Sequence, residues 1–488
     1  MKKIYRKIIF WLFFALFVVT MPLAVLYSKG YRFDFYRNIF VHSGSITVKA
    51  VPTSVSISIN GVPQKANGLD IINNSITVNG LRPGTYELGV SADGYSEWKK
   101  TVEVHSGIST EFWSVVLAPQ NANPEKIDSP GAMKYFVSPF NEKIAYAAKT
   151  EKGIEILSYD AKSGEKTTLF SGENVEYRDE EFLNAEWNTK ETLILNPVVK
   201  GGKNDFLILD IEQGLEPQYL SSLASFEQMD RARWSPKDEK SFFFLASAGP
   251  GENGAKNFYL ADLDLKKTSL IAQNISAYDI SSNSLYLLKE NGILYKTDLS
   301  GESEEQITFS SIDGLKGKTP RVIAYDDKRQ AIVAGDGRLF VHNNGKDDFF
   351  KETAQNAKSA QFSDDGKKLL FWSDNEINAM FLRDWEVQPR RAENEIQQIV
   401  RFSSPVKNVF WYRDYEHIFF SNNGKVKLIE LDSRDRRICS DVLEYKSDDF
   451  SSSYDSLNGV FYFLDGLAGD QKNIFFLEIP KQEGFFGG

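Results

Sequence analysis

The chain has 488 residues, 42% hydrophobic and 25% charged, the balance of a folded protein with room for about three domains. A formal net charge of −10, with no basic block beyond the first seven residues, argues against a nucleic-acid partner, which needs concentrated Lys and Arg. The single cysteine, Cys439, excludes an internal disulfide framework and a cysteine-based zinc site.

The N-terminus reads "MKKIYRK" and then runs without charge through residues 8–27. A helix of about 20 residues spans roughly 30 Å, the thickness of a bilayer's hydrocarbon core. Pro22 is tolerable in such a span. Lys2, Lys3, Arg6 and Lys7 lie before it, which sets the N-terminus in the cytoplasm and everything after Lys29 outside. Residues 1–29 are therefore read as a basic start and single-pass anchor in the cell membrane. A cleaved signal peptide is the alternative, but its apolar region would be long and no small-x-small site follows. Residues 30–43 form a juxtamembrane segment. Its aromatics, with Tyr27, Tyr31, Phe33, Phe35 and Tyr36 together, suit an interfacial belt or packing on the first strand that follows.

Residues 44–118 alternate apolar and polar with period two: "SITVKAVP", "SVSISING", "SITVNGL", "GTYELGVSADGY", "WKKTVEVHSG", "TEFWSVVLAP". Asn-Gly, Pro-Gly and Asp-Gly stop each run, the pattern of short antiparallel strands joined by tight turns. Tyr86, Leu88 and Val90 then face one way, into a small core. Val51-Pro52, "ISING", "LRPGTYELGVSADGY" and "VVLAP" together resemble the PEGA domain, a small β-sandwich of bacterial envelope proteins. Arg82-Pro83-Gly84-Thr85 stands where that family has its name-giving tetrapeptide. The resemblance implies a non-catalytic spacer or binding module. One departure is the long "VPQKANGLDIINNSITVNG" in place of a short link between strands. Residues 119–130, with three prolines, read as a stiff linker. Across it the two cores are expected to unfold separately.

Residues 131–483 repeat. An aromatic or apolar start, a polar turn and an apolar strand recur eight times, beginning at Val137, Trp187, Trp234, Tyr278, Tyr325, Phe362, Trp411 and Tyr454. The starts lie 37 to 50 residues apart, near the period of propeller blades. Most copies continue into a second strand closing on aspartate: Asp160, Asp210, Asp262, Asp298, Asp384 and Asp432, which fit turns where a carboxylate accepts backbone amides. With a weaker third strand, each repeat is a four-stranded blade. The copies resemble the TolB-like and WD-repeat-like propellers, most clearly in "WSPKDEK" and "FSDDGKK". The fold is thus all-β beyond the anchor: a small sandwich, then a propeller of eight blades, or of seven if the short fifth copy is discounted. The aromatic surplus, 36 Phe and 21 Tyr, belongs between the blades.

Chemical motifs are few. "GPGENG" (residues 249–254) matches a dinucleotide fingerprint, but a strand, not a helix, follows it. His42, His105, His342 and His417 share no metal-ligand spacing, and no G-x-S-x-G elbow occurs. His417 could partner a serine from another blade, though a structural role fits it better. The acidic run "EYRDEE" (residues 176–181) lacks the ligand spacing of a calcium loop. We therefore expect no catalytic, metal or cofactor residues and no enzyme. The expected function is a membrane-anchored binding scaffold for an envelope protein or surface glycan. The alternative is an extracytoplasmic hydrolase or lyase using carboxylates, acting on polysaccharide or peptide. Loops between blades and between the second and third strands of a blade should share one rim. Lys200, Lys203, Asn204, Asn253, Lys256, Lys316 and Lys318 lie in the irregular ones, "NPVVKGGKN", "SAGPGENGAK" and "SSIDGLKGKTP". Binding is expected there, with basic contacts on an otherwise acidic protein.

Overall fold

The computed structural model describes residues 3–34, 38–64, 69–70, 74–140, 143–223, 226, 228–247, 256–315, 317–343, 351–466 and 471–479. Among the described residues there is one α-helix, Lys3–Ser28; its apolar span is bare, with Phe10, Trp11, Leu12 and Phe13 all about 60% exposed, and its last turn meets Arg32, which lies 3.8 Å from the Tyr27 ring centroid. A helix apolar all round needs a nonaqueous surround. After it, Tyr31–Asp34 and Ile39–His42 pair as a hairpin held by Phe33 against Phe40, with ring centroids 5.1 Å apart.

The module is two four-stranded sheets. Gly44–Val51 lies between Ser109–Val116 and Ser75–Leu81, which also carries the short Leu69–Asp70. Ser56–Ile59 and Gly84–Ser91 are central in the other sheet, flanked by Val62–Pro63 and Trp98–Val104. Leu88 and Val90 are wholly buried and Tyr86 packs beside them, as the alternation requires. The turn after Gly84–Ser91 passes through Gly94 at φ +81°, which a side chain would resist.

Eight further sheets follow, each led by one of the eight repeats. In blade 3, for example, Met229–Trp234, Ser241–Ser247, Lys256–Asp262 and Lys267–Ala272 pair in sequence order as an antiparallel meander. Between successive blades lies an apolar core, such as Trp234, Phe242 and Phe244 of blade 3 against Leu195 and Phe206 of blade 2. The eighth such core joins Tyr462 and Ile474 to Ala132 and Ile144 of blade 1, so the sheets close into a ring. Eight blades is therefore the observed number, and the short fifth copy, Arg321–Asp326 to Lys351–Ala354, is one of them. All six turn aspartates accept backbone amides; Asp160 Oδ1, for example, takes those of Lys162 and Ser163 at 2.9 and 3.0 Å.

Two expectations need correction. The stretch read as a linker contributes a strand: Glu125–Ile127 pairs with Asn473–Glu478 as the outer strand of blade 8, so chain from both ends of the propeller completes one sheet. The module and ring also do not have separate cores throughout. Val51, Val116 and Ala118 of the module share a core with Tyr412, Phe419 and Phe461 of blades 7 and 8. Short-range patterns carry no trace of either contact, because both join segments far apart in the chain.

Candidate functional site

In a four-stranded blade, turns after strands one and three emerge on one face of the ring. Turns after strand two, and links between blades, emerge on the other. The module docks on the first face. Its Lys100 is fully buried and its Nζ sits 2.6 Å from Oε1 of Glu430, at the end of strand three of blade 7. Glu430 Oε2 accepts Trp98 Nε1 at 3.0 Å, and its Oε1 also accepts the amide of Ile438 at 2.7 Å. Beside it, Arg434 clasps Asp432, donates to the carbonyl of Glu111 at 2.8 Å and lies 3.9 Å from the centroid of the Phe112 ring. Burial opposes the charge on Asp432, but Arg434 and Lys100 outweigh it and hold the carboxyl below its ordinary range. Gln388, between strands of blade 6, exchanges two hydrogen bonds with the backbone of residues 109 and 111. Among the described residues the module's hydrogen bonds and ion pairs to the ring all fall on this first face.

Among the described residues two chambers are lined by the innermost strands of the ring. The larger, about 1390 Å³, opens on the module's side between Phe140 and Leu457, 72% and 61% exposed. Trp187 Nε1, Arg413 Nη1, Ser452 Oγ and Tyr454 Oη have no hydrogen-bond partner among the described residues, so its wall carries spare donors on an apolar lining. The smaller, about 380 Å³, lies towards the opposite face. Residues 178–185 interrupt the innermost strand of blade 2, between Val175–Tyr177 and Glu186–Trp187, and their Glu180, Glu181 and Phe182 line both chambers. The acidic run "EYRDEE" thus ends in the channel, where Arg178 pairs with Glu180 and Asp230 at 2.6 and 2.8 Å and Lys134 with Asp179 at 2.6 Å.

The rim residues fare unevenly. Lys200 and Lys203 face each other across a two-residue Gly201-Gly202 turn. "NPVVKGGKN" is therefore a continuous hairpin with Asn204 opposite Val199, not the irregular insertion expected, because both strands extend to the turn. Lys200 Nζ sits 3.5 Å over the Tyr219 ring, Lys256 is paired with Asp230, and Lys318 is 3.9 Å from Asp336. Of the expected contacts, Lys256 lines the smaller chamber. Asn253, Lys316 and the "GPGENG" segment lie outside the described residues. His417 is buried with Nδ1 2.8 Å from Asp414 Oδ2; burial lowers its pKa, but the carboxylate outweighs that and raises it, and its hydrogen-bond partner is that aspartate rather than a serine. Among the described residues no three His, Cys, Asp or Glu side chains group as metal ligands.

Sequence reasoning missed Arg231 and Arg321 in the smaller chamber. Their signal is arginine three or four residues before the repeat's aromatic, in "RARW" and "RVIAY", which falls on the channel-lining strand. It also missed Lys100 and Glu430, which nothing local links.

A helix long and apolar enough to cross a membrane, a small sandwich and an eight-bladed ring define the class: an all-β propeller protein with an N-terminal apolar helix. Residues 43–119 match the PEGA domain. No curated protein matches the chain in sequence. Among solved structures it is similar to Saccharomyces cerevisiae Sqt1, at 12% identity and TM-score 0.45, covering 72% of this chain and 100% of that one. It is also similar to an oligogalacturonate lyase in complex with manganese, at 10% identity and TM-score 0.44, covering 74% and 96%. A third is the Myceliophteria thermophila Cps50 (Swd1) β-propeller domain, at 10% identity and TM-score 0.42, covering 73% and 99%. At these identities the likeness concerns the fold alone, and the number of blades rests on the sheets.

Proposed function

We propose that the protein is a binding scaffold held at a cell membrane by its N-terminal helix, with the N-terminus cytoplasmic and the propeller on the far side. The basic residues before the helix support that orientation. The resemblance of the module to an envelope domain supports the compartment. The observation that carries the binding role is the docking of the module. A buried ion pair fixes it on the face of strand-one and strand-three turns, so the other face, with its chamber and its rim lysines, is held open to a partner. A rigid ring with differing loops is a scaffold on which binding usually sits. The partner class is an envelope protein or surface glycan, met by Lys200, Lys203 and Lys318 at the rim.

The test is capture from native membranes with the full chain as bait. Changing Lys200, Lys203 and Lys318 together to Glu should abolish capture at unchanged melting temperature. The same change at Lys162 and Lys266, in strand-three turns of the module's face, should leave it intact. The reverse pattern would move the binding face.

A further inference from the structure

The smaller chamber holds more positive charge than its neighbours neutralise. Five basic and three acidic side chains line it, in a chain whose overall charge is −10. The nearby carboxylates other than Glu181 are already engaged. Asp230 is taken by Arg178 and Lys256, and Glu180 by Arg178. Asp279, close by, is held by Arg233 and by the amides of Ile280 and Ala324 at 2.9 and 2.8 Å. Lys358 is paired with Asp374.

Two guanidinium groups remain. The Arg231 side chain has no hydrogen-bond or ion-pair partner among the described residues. It is the bulged residue between Asp230 and Ala232, at φ +27°, and bulges re-aim side chains where a ladder would have set them otherwise. Tyr278 Oη holds its carbonyl at 3.0 Å. Arg321, from blade 5, lies flat on Phe182, 3.7 Å from the ring centroid, and gives one N–H to the carbonyl of Lys358 at 2.6 Å. Its remaining donors have no acceptor among the described residues. Burial first, and then the charge of Arg231, push its pKa down to about 10. Guanidinium keeps its proton at neutral pH, so an anion is what relieves such crowding. Glu181 is the one lining acid with no cation bonded to it among the described residues, and it competes for that role.

We propose that this chamber binds an anionic sugar residue, with its carboxylate or phosphate gripped between Arg231 and Arg321. The inference rests on the open face being the binding face. About 380 Å³ is at the small end of ligand sites and suits one such residue, not the surface of a folded partner. Planar forked donors match carboxylate and phosphate oxygens alike. Ser276, Thr319 and the backbone at Gly335 and Gly337 line the rest and offer partners for sugar hydroxyls.

The test is calorimetric titration of the detergent-solubilised full chain with glucuronate, glucose 6-phosphate, glucose and polyglutamate. At least one anionic sugar should bind, and which of the two binds more tightly tells whether a carboxylate or a phosphate is the natural group. Glucose and polyglutamate should bind at least about tenfold more weakly. Arg231→Gln and Arg321→Gln should each lose about tenfold or more, as when one partner of a desolvated pair is truncated. Arg231→Lys and Arg321→Lys keep the charge and should recover part of the loss, which separates binding from folding. Glu181→Gln should tighten binding. No binding of either anionic sugar, equal binding of glucose, preference for polyglutamate, or full affinity in the two Gln variants would overturn the site. Capture from membranes that survives Arg231→Gln and Arg321→Gln, while lost on changing the rim lysines, would overturn the site and leave the scaffold reading standing.

Discussion

Replacing Lys100 by Met removes one half of an ion pair whose side chains are 0% and 3% exposed. Glu430 would be left buried with two donors, Trp98 Nε1 and the amide of Ile438. Breaking a buried pair costs about 3–5 kcal/mol, because the surviving charge keeps its desolvation penalty. Two remaining charge-assisted hydrogen bonds place the expected loss near the lower end, about 3 kcal/mol, or roughly a hundredfold in the unfolding equilibrium. Glu430→Gln should cost a similar amount, since Lys100 would keep only the carbonyl of Asp432 at 2.9 Å and its carboxylate at 3.7 Å. The double variant removes both charges together and should cost much less than the sum, a coupling of at least about 1 kcal/mol. Denaturant unfolding of the full chain in micelles, followed by tryptophan fluorescence, reads this directly, because Trp98 lies in the contact. Single variants within about 1 kcal/mol of the parent, or a double variant equal to the sum, would refute a cooperative docking.

Three further outcomes are expected. Leu88→Asp sets a carboxylate in a wholly buried site and should unfold the module; because Val51, Val116 and Ala118 share a core with blades 7 and 8, the propeller's melting temperature should fall as well, and an unchanged propeller transition would contradict that shared core. Asp432 has a depressed pKa in the folded state, so its contribution is present above the unfolded value of about 3.9 and is lost as pH falls through the lower folded one. Asp432→Asn should therefore be less stable than the parent at neutral pH, with the gap in melting temperature closing in acid; a gap independent of pH would refute the assignment. A reporter active only in the cytoplasm, fused after Gly488, should be silent, and activity would refute the orientation.

The strands were legible because each depends on local pattern. Period-two alternation announced Tyr86, Leu88 and Val90 as core, and an aspartate at or just after the third strand announced the turn in six of the eight blades. The blade number is legible from the repeats, and the separate sheet led by Arg321–Asp326 decides for eight over seven. The docking was not legible. Trp98 and Glu430 are 332 residues apart; Lys100 stands at an inward position of its strand, between Trp98 and Val102, but nothing local names the carboxylate that would meet it. The candidate site was half legible. The rim lysines were visible as loops rich in glycine and lysine, but "NPVVKGGKN" extends as strand because Val198 and Val199 pair across to Asp205 and Asn204. Arg231 and Arg321 come from blades 3 and 5, and only ring closure sets both against one chamber.

The central claim is that the face opposite the module meets a partner outside the membrane. Photo-crosslinking in native membranes tests it most directly, with a photoreactive residue placed in turn at Lys203 and Lys318 on the open face and at Lys237 and Leu265 in turns on the module's face. Adducts are expected from the first pair and none from the second. Adducts from Lys237 and Leu265 alone, or from none of the four, would contradict it.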